Sequence, residues 1–515
     1  MQQSQSKQQV GGILGFIERI GNKIPDITIL FISAFILVCV VSAVLAQIHF
    51  NYVHPATGRP IEITNMLSGK ALVDLMSKMV TNYANFPPLS MVIVATLGIG
   101  IADGSGYINT GLKKILSITP KVLITPVVIL VGMLSHLGPD SGYVIIIPIA
   151  AYMFYAVGKH PLAGIAASFA GIAGAFAANY TPSAIDPVIQ GFTQSAAQII
   201  DPGYQVNVLC NYFYAFASTF IVIGACWWVT EKITNPWLWK ACPLDDDLDL
   251  GNENNSSITP SENRAFKIAT AVLLLMLTGL AAALYPADSI LRAPDGVIAS
   301  FKAPIMQSIV SLIFIFAALV GLVYGIACGK FKSPKDVTAM EEITKTLVQL
   351  IVFYFFAAQF LYAFGASNMG ALIAVSGAEF LKSLNLPSQV TVFGIIVFVA
   401  LLNLIITSAS AKWAILAPIF VPMLMAVGIA PELTQVAFRV SDSAVNVVTP
   451  MFAFYPLIIL YCQKYVKNAG IGTLSSMMLP YTIALLVSLT FMLYLFWWLD
   501  IPLGFQADYV YPRRF

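Results

Sequence analysis

An apolar run from residue 121 to residue 158 is interrupted at its middle by Ser135-His136-Leu137-Gly138-Pro139-Asp140-Ser141-Gly142. A second apolar run, residues 391–428, is interrupted by Thr407-Ser408-Ala409-Ser410-Ala411-Lys412-Trp413. Each run is too long for a single membrane span, which takes about 20 residues. Non-helical backbone at membrane depth is tolerated only where it lines a cavity or is buried in protein. Each run is therefore predicted to form two half-helices that meet at a tip, as in a re-entrant hairpin.

The composition of the whole chain is that of a membrane protein. Of its 515 residues, 58% are hydrophobic and 10% are charged, against about 45–50% and about 25% in soluble proteins. These values exclude a large soluble enzyme, a disordered protein and a coiled coil. The net charge of +2 gives no sign of nucleic-acid binding. Nine further apolar runs predict transmembrane helices at 27–46, 88–109, 162–195, 207–229, 265–285, 304–328, 345–366, 432–465 and 475–498.

The distribution of basic residues predicts the orientation. If the N-terminus is cytoplasmic and each interrupted run returns to its starting side, 17 Lys and Arg residues lie inside and 8 outside. This asymmetry follows the positive-inside rule. The first hairpin then enters from the cytoplasm and the second from outside. The two remaining basic residues, Lys412 and Arg439, lie within membrane segments.

The two interrupted runs resemble each other in sequence. Pro148, Gly158 and Pro161 recur 270 residues later as Pro418, Gly428 and Pro431, and Thr181-Pro182 is echoed by Thr449-Pro450. Related halves in opposite orientation are typical of secondary transporters, whose binding sites lie where interrupted helices meet at the membrane midplane. The predicted fold is an all-α polytopic membrane protein with about nine transmembrane helices and two re-entrant helical hairpins in an inverted repeat.

This fold divides the chain into eight predicted segments. They are a cytoplasmic N-terminal segment (1–26), scaffold helices (27–120), a first repeat with hairpin and broken helix (121–206), a scaffold helix (207–230), a cytoplasmic linker (231–264), scaffold helices (265–390), a second repeat (391–465) and a last helix with an external C-terminus (466–515).

Ionisable residues inside a membrane are costly and are functional candidates by default. Arg439 and Asp442 are three residues apart, so they share a helical face and can pair. Either the pair only fixes packing, or the cation binds an anionic substrate beside a carboxylate that changes charge during transport. Asp140 and Asp186 have no basic neighbour in sequence. Each suits proton carriage, or Na⁺ binding with nearby hydroxyl and backbone oxygens, unless it is simply an Asp exposed to water.

Amides and hydroxyls cluster where the helices are predicted to break, and these groups suit cation or carboxylate binding. Trp413, next to Lys412, either stacks on an aromatic ring of the substrate or only packs the hairpin. Pro182, Pro418, Pro431 and Pro450 are predicted to mark the breaks. The candidate binding residues are Trp413, Arg439, Lys412, Asn403, Ser410, Asn179 and Asn446, and the candidate ion-coupling residues are Asp140, Asp186 and Asp442.

Signatures of catalysis and nucleotide binding are missing from the sequence. It contains no HExxH, GxxxxGK[ST] or GxSxG motif. We therefore expect neither an enzyme nor an ATP-driven pump, and no cofactor. A channel with a fixed filter is a further alternative, but two related tips favour alternating access.

Four motifs resemble the p-aminobenzoyl-glutamate transporter (AbgT) family of bacterial inner-membrane proteins. They are residues 18–25 (ERIGNKIP), Ser135-His136 through Asp140, residues 156–161 (AVGKHP) and residues 438–443 (FRVSDS). The resemblance implies a homodimer in the inner membrane, with nine spans, two re-entrant hairpins and an inward-facing basin in each subunit. It also implies functional roles for Asp186, Trp413, Pro431, Arg439, Asp442 and Pro450, with Asn403 and Ser410 lining the second hairpin.

Members of this family import p-aminobenzoyl-glutamate or export sulfonamide antimetabolites, driven by proton or sodium gradients. The resemblance therefore implies a secondary transporter of aromatic folate-pathway anions, coupled to H⁺ or Na⁺. A dicarboxylate or citrate carrier of similar inverted-repeat architecture is the alternative. The first tip reads Gly138-Pro139-Asp140-Ser141, where the family pattern is closer to Ser-Ser-Asp-Ala. This departure leaves the roles of its neighbours open.

Overall fold

The computed structural model is built from α-helices. It describes residues 27–53, 58–137, 141–183, 185–245, 258–298, 302–338 and 341–512. Within these ranges the only β-type pairing consists of two isolated bridges, Val53 with Pro60 and Ile429 with Val510. The prediction of an all-α chain with several apolar helices is confirmed.

The helices in chain order are α1 Ile27–Leu45, α2 Gly69–Ala84, α3 Pro87–Ser105, α4 Tyr107–Ser117, α5 Ile124–Leu134, α6 Ser141–Ala156, α7 Pro161–Phe169, α8 Ile185–Ala197, α9 Tyr212–Val229, α10 Asn235–Ala241, α11 Pro260–Leu284, α12 Pro304–Gln307, α13 Ile309–Cys328, α14 Pro334–Thr338, α15 Glu341–Ala366, α16 Met369–Ser383, α17 Ser388–Asn403, α18 Ala409–Met425, α19 Pro431–Val445, α20 Tyr455–Gln463 and α21 Ile471–Trp498. Short 3₁₀ turns at Lys121–Leu123 and Ser135–Leu137 flank α5, and π-helical segments at Ala170–Gly174 and Thr230–Thr234 extend α7 and α9.

Five helical segments in the described ranges are long and apolar enough to cross a bilayer. A sixth results if α15 and α16, which meet at a 66° bend, form one broken span. Five apolar helical segments of 10–17 residues are too short by this measure, and they lie in or at the edge of the two predicted repeats. The number of nine spans and the re-entrant course of the hairpins therefore stay predictions. The five long segments are Thr28–Leu45, Tyr212–Ala241, Pro260–Leu284, Ile309–Cys328 and Ile471–Trp498.

The two repeats have the same order of local structure. In both, a helix is followed by a break, a second helix, a glycine turn, a third helix that begins at a proline, a second break and a fourth helix. At the turn, Gly158 and Gly428 have positive φ angles of +79° and +87°, in the left-handed region where a residue with a side chain would be strained. Pro161 and Pro431 then take the first helical position, where the missing N–H is not needed. The sequence offset therefore corresponds to a structural repeat.

The repeats exchange contacts with each other. Helix α8 of the first repeat packs on α18 of the second, and α20 of the second packs on α6 and α7 of the first. Glycine permits close crossing within the first repeat, because a Cβ at Gly171 would lie 2.5 Å from the Ile129 carbonyl oxygen of α5. Helix α19 lies at the centre of this assembly, and all its residues are buried.

Two predicted boundaries differ from the structure. Pro418 lies inside α18 and does not end it, because neighbouring elements buried around a membrane helix can compensate for the hydrogen bond that proline removes. The helix predicted to end at residue 230 continues through the π-helical segment and α10 to Ala241. The first part of the predicted linker 231–264 is therefore helical.

Candidate functional site

A stripe of polar side chains runs along the buried helix α19. Its members are spaced alternately three and four residues apart, which places them on one helical face. Gln435 and Arg439 both contact α8 of the first repeat. Asp442 contacts α18 and Asn446 contacts α17, so the two repeats meet along this stripe. The members of this stripe are Glu432, Gln435, Arg439, Asp442 and Asn446, the last directly after the helix.

The first ion pair on the stripe joins the two repeats. The Arg439 Nη1 atom lies 2.8 Å from the Asp186 Oδ1 atom. Asp186 is in the first turn of α8, and its other oxygen accepts a hydrogen bond of 2.7 Å from the backbone N–H of Ser183. Both charged side chains are nearly buried, with exposed fractions of 8% for Arg439 and 12% for Asp186.

The second ion pair lies at the break in the second hairpin. The Lys412 Nζ atom is 2.7 Å from the Asp442 Oδ1 atom, and the two side chains are 0% and 3% exposed. Lys412 also donates hydrogen bonds to the side-chain oxygen of Asn403 and to the carbonyl of Ile406. Asn403, at the end of α17, donates to the Asp442 carbonyl at 2.7 Å and to Asn446 Oδ1 at 3.1 Å. The lysine is therefore neutralised and hydrogen-bonded in the interior, as a buried charge requires.

These contacts correct the pairing inferred from the sequence. Arg439 and Asp442 do lie on one face of α19, but each forms its ion pair with a residue of another element. Asp186, which has no basic neighbour in sequence, is paired through the tertiary fold. Two positive and two negative side chains are thus neutralised pairwise.

Trp413 is packed in the core in this conformation. It is fully buried, and its ring stacks on Phe438 with a centroid distance of 4.4 Å and an interplanar angle of 29°. Its Nε1 atom donates a hydrogen bond of 2.9 Å to Thr193 Oγ1 in α8. Thr193 in turn donates to Gln435 Oε1 at 2.6 Å. Of the two sequence interpretations, packing describes this conformation, because the partner ring is Phe438.

The first repeat contains a polar contact equivalent to that of the second. His136 donates from Nε2 to the Ile172 carbonyl at 2.6 Å, which leaves Nδ1 to accept a hydrogen bond of 2.6 Å from the Asn179 amide. Asn403 and Asn446 are linked in the same way in the second repeat, and in both cases the residues are 43 positions apart. Each repeat therefore ties its first interrupted region to its second break through a buried hydrogen bond.

A small cavity lies beside the Arg439–Asp186 pair. Its lining includes Asn179, Thr181, Asn211 and Tyr212, together with the two charged residues. The Arg439 Nη2 atom is buried and forms no hydrogen bond within the described part of the chain. The free volume of about 10 Å³ is close to the minimum for one water molecule. This conformation therefore leaves no room for an organic anion at Arg439, although one guanidinium nitrogen is available.

The remaining predicted site residues lie around the breaks. Ser410 is half-buried in the first turn of α18, with its Oγ 3.5 Å from that of Ser408. Pro182 lies in the break between α7 and α8, Pro450 lies in the break between α19 and α20, and Pro431 begins α19. Asp140, the candidate at the first tip, lies outside the described residues.

The whole chain is similar to known transporters. Residues 12–511 match the family model described as "AbgT putative transporter family". The chain belongs to the AbgT transporter family. This AbgT-family chain is 33% identical to the p-aminobenzoyl-glutamate transport protein of Escherichia coli K12, over 99% of its own length and 98% of that protein. It is therefore a multi-pass membrane protein from a family of transporters.

Two solved structures have the same fold as this AbgT-family chain. The YdaH transporter of Alcanivorax borkumensis is 37% identical, with a TM-score of 0.87, and the match covers 93% of this chain and all of that one. MtrF of Neisseria gonorrhoeae, described as illuminating a class of antimetabolite efflux pumps, is 39% identical, with a TM-score of 0.89. That match covers 96% of this chain and all of MtrF.

Sequence reasoning missed several residues of this AbgT-family site. Glu432 accepts a hydrogen bond from Tyr204 at 2.9 Å, and Gln435 donates to Asn211 at 2.7 Å. Glu432 and Gln435 could have been identified from the sequence, because the spacing of three and four residues along α19 places them on the same helical face as Arg439 and Asp442. Thr193 has no comparable sequence signal.

Proposed function

We propose that this AbgT-family transporter is a secondary active transporter of aromatic folate-pathway anions such as p-aminobenzoyl-glutamate, or an exporter of sulfonamide antimetabolites. In this proposal it works by alternating access and is coupled to H⁺ or Na⁺. The observation that carries the proposal is the presence of two buried ion pairs on α19. Arg439–Asp186 joins the two repeats, and Lys412–Asp442 lies at the break in the second hairpin. When such an ion pair separates, a bound anion can take the place of the carboxylate beside the basic residue, and a bound cation can neutralise the carboxylate. No buried charge is then left without a partner.

Arg439 is the proposed anion-binding group. Arg439 lines the cavity together with Asn179, and its Nη2 atom forms no hydrogen bond within the described residues. A guanidinium binds a carboxylate with two parallel hydrogen bonds. When the cavity opens, a substrate carboxylate replaces Asp186 at Arg439. Asn179 and Thr181 then supply hydrogen bonds to the neighbouring amide of the substrate.

Asp186 and Asp442 are the proposed coupling carboxylates. A carboxylate displaced from its arginine or lysine partner in a dry interior must take up a proton or bind a cation, because an isolated buried charge is unfavourable. In this conformation Lys412 pairs with the Asp442 carboxylate and Asn403 donates to the Asp442 carbonyl, while Asn446 accepts a hydrogen bond from Asn403. Substrate binding at one pair and ion binding at the other are then linked through α19, which carries both Arg439 and Asp442.

Flux measurements in proteoliposomes test this proposal. Radiolabelled p-aminobenzoyl-glutamate and a sulfonamide are assayed with pH and Na⁺ gradients imposed separately. Gradient-dependent accumulation is expected for the native chain, with loss in Arg439→Ala and Asp442→Ala. Lys332→Ala, at an exposed position, is the control and should transport normally. Unchanged transport in both site variants would remove these residues from the mechanism.

Competition experiments separate the substrate classes. Succinate or citrate should not displace p-aminobenzoyl-glutamate if aromatic folate-pathway anions are the substrates. Displacement by either would favour a dicarboxylate or citrate carrier. Ion currents far above transporter turnover, without accumulation, would instead indicate a channel.

The proposal places the protein as a homodimer in the bacterial inner membrane, with a cytoplasmic N-terminus. The excess of basic residues on the predicted inner side supports this orientation. Cross-linking in native membranes and labelling of single cysteines introduced at Lys78 and Lys332 test the assembly and the orientation. External labelling of Lys78→Cys alone is expected.

A further inference from the structure

A groove lined by lysines and tryptophans lies away from α19. It has a volume of about 630 Å³ and is formed by the 3₁₀ turn before α5, the turn between α6 and α7, and the end of α9 with the π-helical segment that follows. Its charged residues are Lys121, Lys159, Glu231 and Lys232. We refer to these residues, together with Gly224, Trp227 and Trp228, as the lysine groove.

The positive charge of the lysine groove is only partly neutralised. Lys159 is held by Glu231 at 2.5 Å and by Thr125 at 3.0 Å. Lys121 and Lys232 are exposed, and they form no ion pair within the described residues. Three cations against one carboxylate leave an excess of two positive charges. The groove therefore complements a phosphate.

The other end of the groove is apolar and open. Trp227 and Trp228 are 38% and 58% exposed, and tryptophan is enriched where a membrane protein meets the bilayer interface. A Cβ built at Gly224 finds no atom within 4 Å. The missing side chain therefore leaves space on the surface of α9, one helical turn before the two tryptophans and further from Lys232.

The local helix geometry separates the two ends. Glu231 and Lys232 lie in the π-helical segment Thr230–Thr234, a distortion often found at functional positions. This segment is anchored from behind, because Thr230 Oγ1 lies 2.7 Å from the Tyr481 hydroxyl oxygen. The groove is thus a built feature of the helix end, with charge at one side and an apolar opening at the other.

We propose that the lysine groove binds an anionic phospholipid. The lipid phosphate lies between Lys121 and Lys232, and an acyl chain passes over Gly224 beside Trp228. Under the predicted topology the groove faces the cytoplasmic leaflet, and basic pockets between membrane helices on that side bind anionic headgroups. The bound lipid would connect the base of the first hairpin with α9.

Native mass spectrometry of the purified full chain tests this proposal. The probes are phosphatidylglycerol and phosphatidylcholine with identical acyl chains. Preferential retention of phosphatidylglycerol is expected for the native chain. Lys121→Gln/Lys232→Gln should lower the preference about thirtyfold, from the contribution of two lysines near an anionic headgroup. Lys240→Gln/Lys332→Gln removes two exposed lysines elsewhere and should retain it.

A steric variant separates a lipid from a free anion. Gly224→Leu places a side chain in open space, so it should fold normally and block the acyl chain while leaving the lysines intact. Trp228→Ala provides a second variant that weakens the apolar end. Loss of lipid retention in both supports the proposal.

Equal retention of the two lipids, or equal retention in all variants, would overturn the lipid site. Inorganic phosphate forms the remaining arm of the test. Two results together would show that the groove binds a free anion and that the lipid proposal is wrong. Phosphate would displace phosphatidylglycerol from the native chain, and the Gly224→Leu variant would still retain phosphatidylglycerol fully.

Discussion

The two buried ion pairs can be tested by neutralising each partner alone and both together. The substitutions are Asp186→Asn with Arg439→Gln, and Lys412→Met with Asp442→Asn. A third cycle combines Arg439→Gln with Asp442→Asn, the pair that sequence spacing alone suggests. Coupling energies from the three cycles then show which residues neutralise each other in the folded protein.

The expected magnitudes follow from burial. Removing one partner of a buried pair leaves the other uncompensated and costs about 3–5 kcal/mol. Removing both avoids that penalty, so the double variants should be more stable than the sum of the single effects by about 1–3 kcal/mol. Coupling should be larger for Lys412–Asp442, whose side chains are 0% and 3% exposed. The cavity beside Arg439–Asp186 lets water reduce the coupling of that pair.

The assay is reversible denaturant unfolding in detergent micelles, with size-exclusion chromatography to confirm that each variant is folded beforehand. Coupling in the Arg439/Asp442 cycle should be smaller than in either observed pair. If it is the largest of the three, or if the observed pairs give additive effects, the pairing described for α19 is wrong.

Five further substitutions, in three experiments, test the packing of the helices. Trp413→Phe and Thr193→Val should each lower the free energy of unfolding by about 1 kcal/mol. Because both break the hydrogen bond between these two side chains, the double variant should lose little more than either single variant. Fully additive losses would argue against that hydrogen bond. Asn403→Ala removes three hydrogen bonds of the buried cluster and should cost about 1–3 kcal/mol or more, measured in the same unfolding assay; no loss would show that the cluster does not stabilise the fold. Gly171→Ala should lower the thermal unfolding temperature, because its Cβ would meet a backbone oxygen at 2.5 Å, whereas Gly224→Ala should not, and equal effects would contradict the close crossing.

The sequence predicted the repeated elements well, because turns and helix starts depend on local chemistry. Glycine at a left-handed turn followed by proline at a helix start is readable without tertiary information, as at Gly158 and Pro161. The prediction of a helix break at Pro418 was wrong because it depends on tertiary surroundings that the local sequence does not show. Proline weakens an isolated helix, but whether a buried helix continues depends on what surrounds it.

The sequence identifies the charged residues of the candidate site but not which of them form ion pairs with each other. Arg439 and Asp442 are identifiable because charges inside a membrane are rare. Their partners Asp186 and Lys412 were also candidates, but the pairing depends on how α8 and α18 pack against α19. Trp413 shows the same limit, since only the fold brings Phe438 against its ring.

The buried Lys412 has a consequence for biosynthesis. Lys412 lies in the first turn of α18, at the tip of the predicted second hairpin. A lysine at the middle of the bilayer opposes insertion by about 2.5–3.5 kcal/mol on translocon scales, and the neutralising partner Asp442 is synthesised later, in α19. Helix α18 therefore cannot settle into the bilayer alone and has to enter together with α19. Asp186 stays without its ion-pair partner for longer than Lys412 does, because Arg439 is synthesised only after most of the chain has been made. A nascent chain that ends before α19 keeps Asp186 and Lys412 without their ion-pair partners, so we expect it to insert less completely than the full chain.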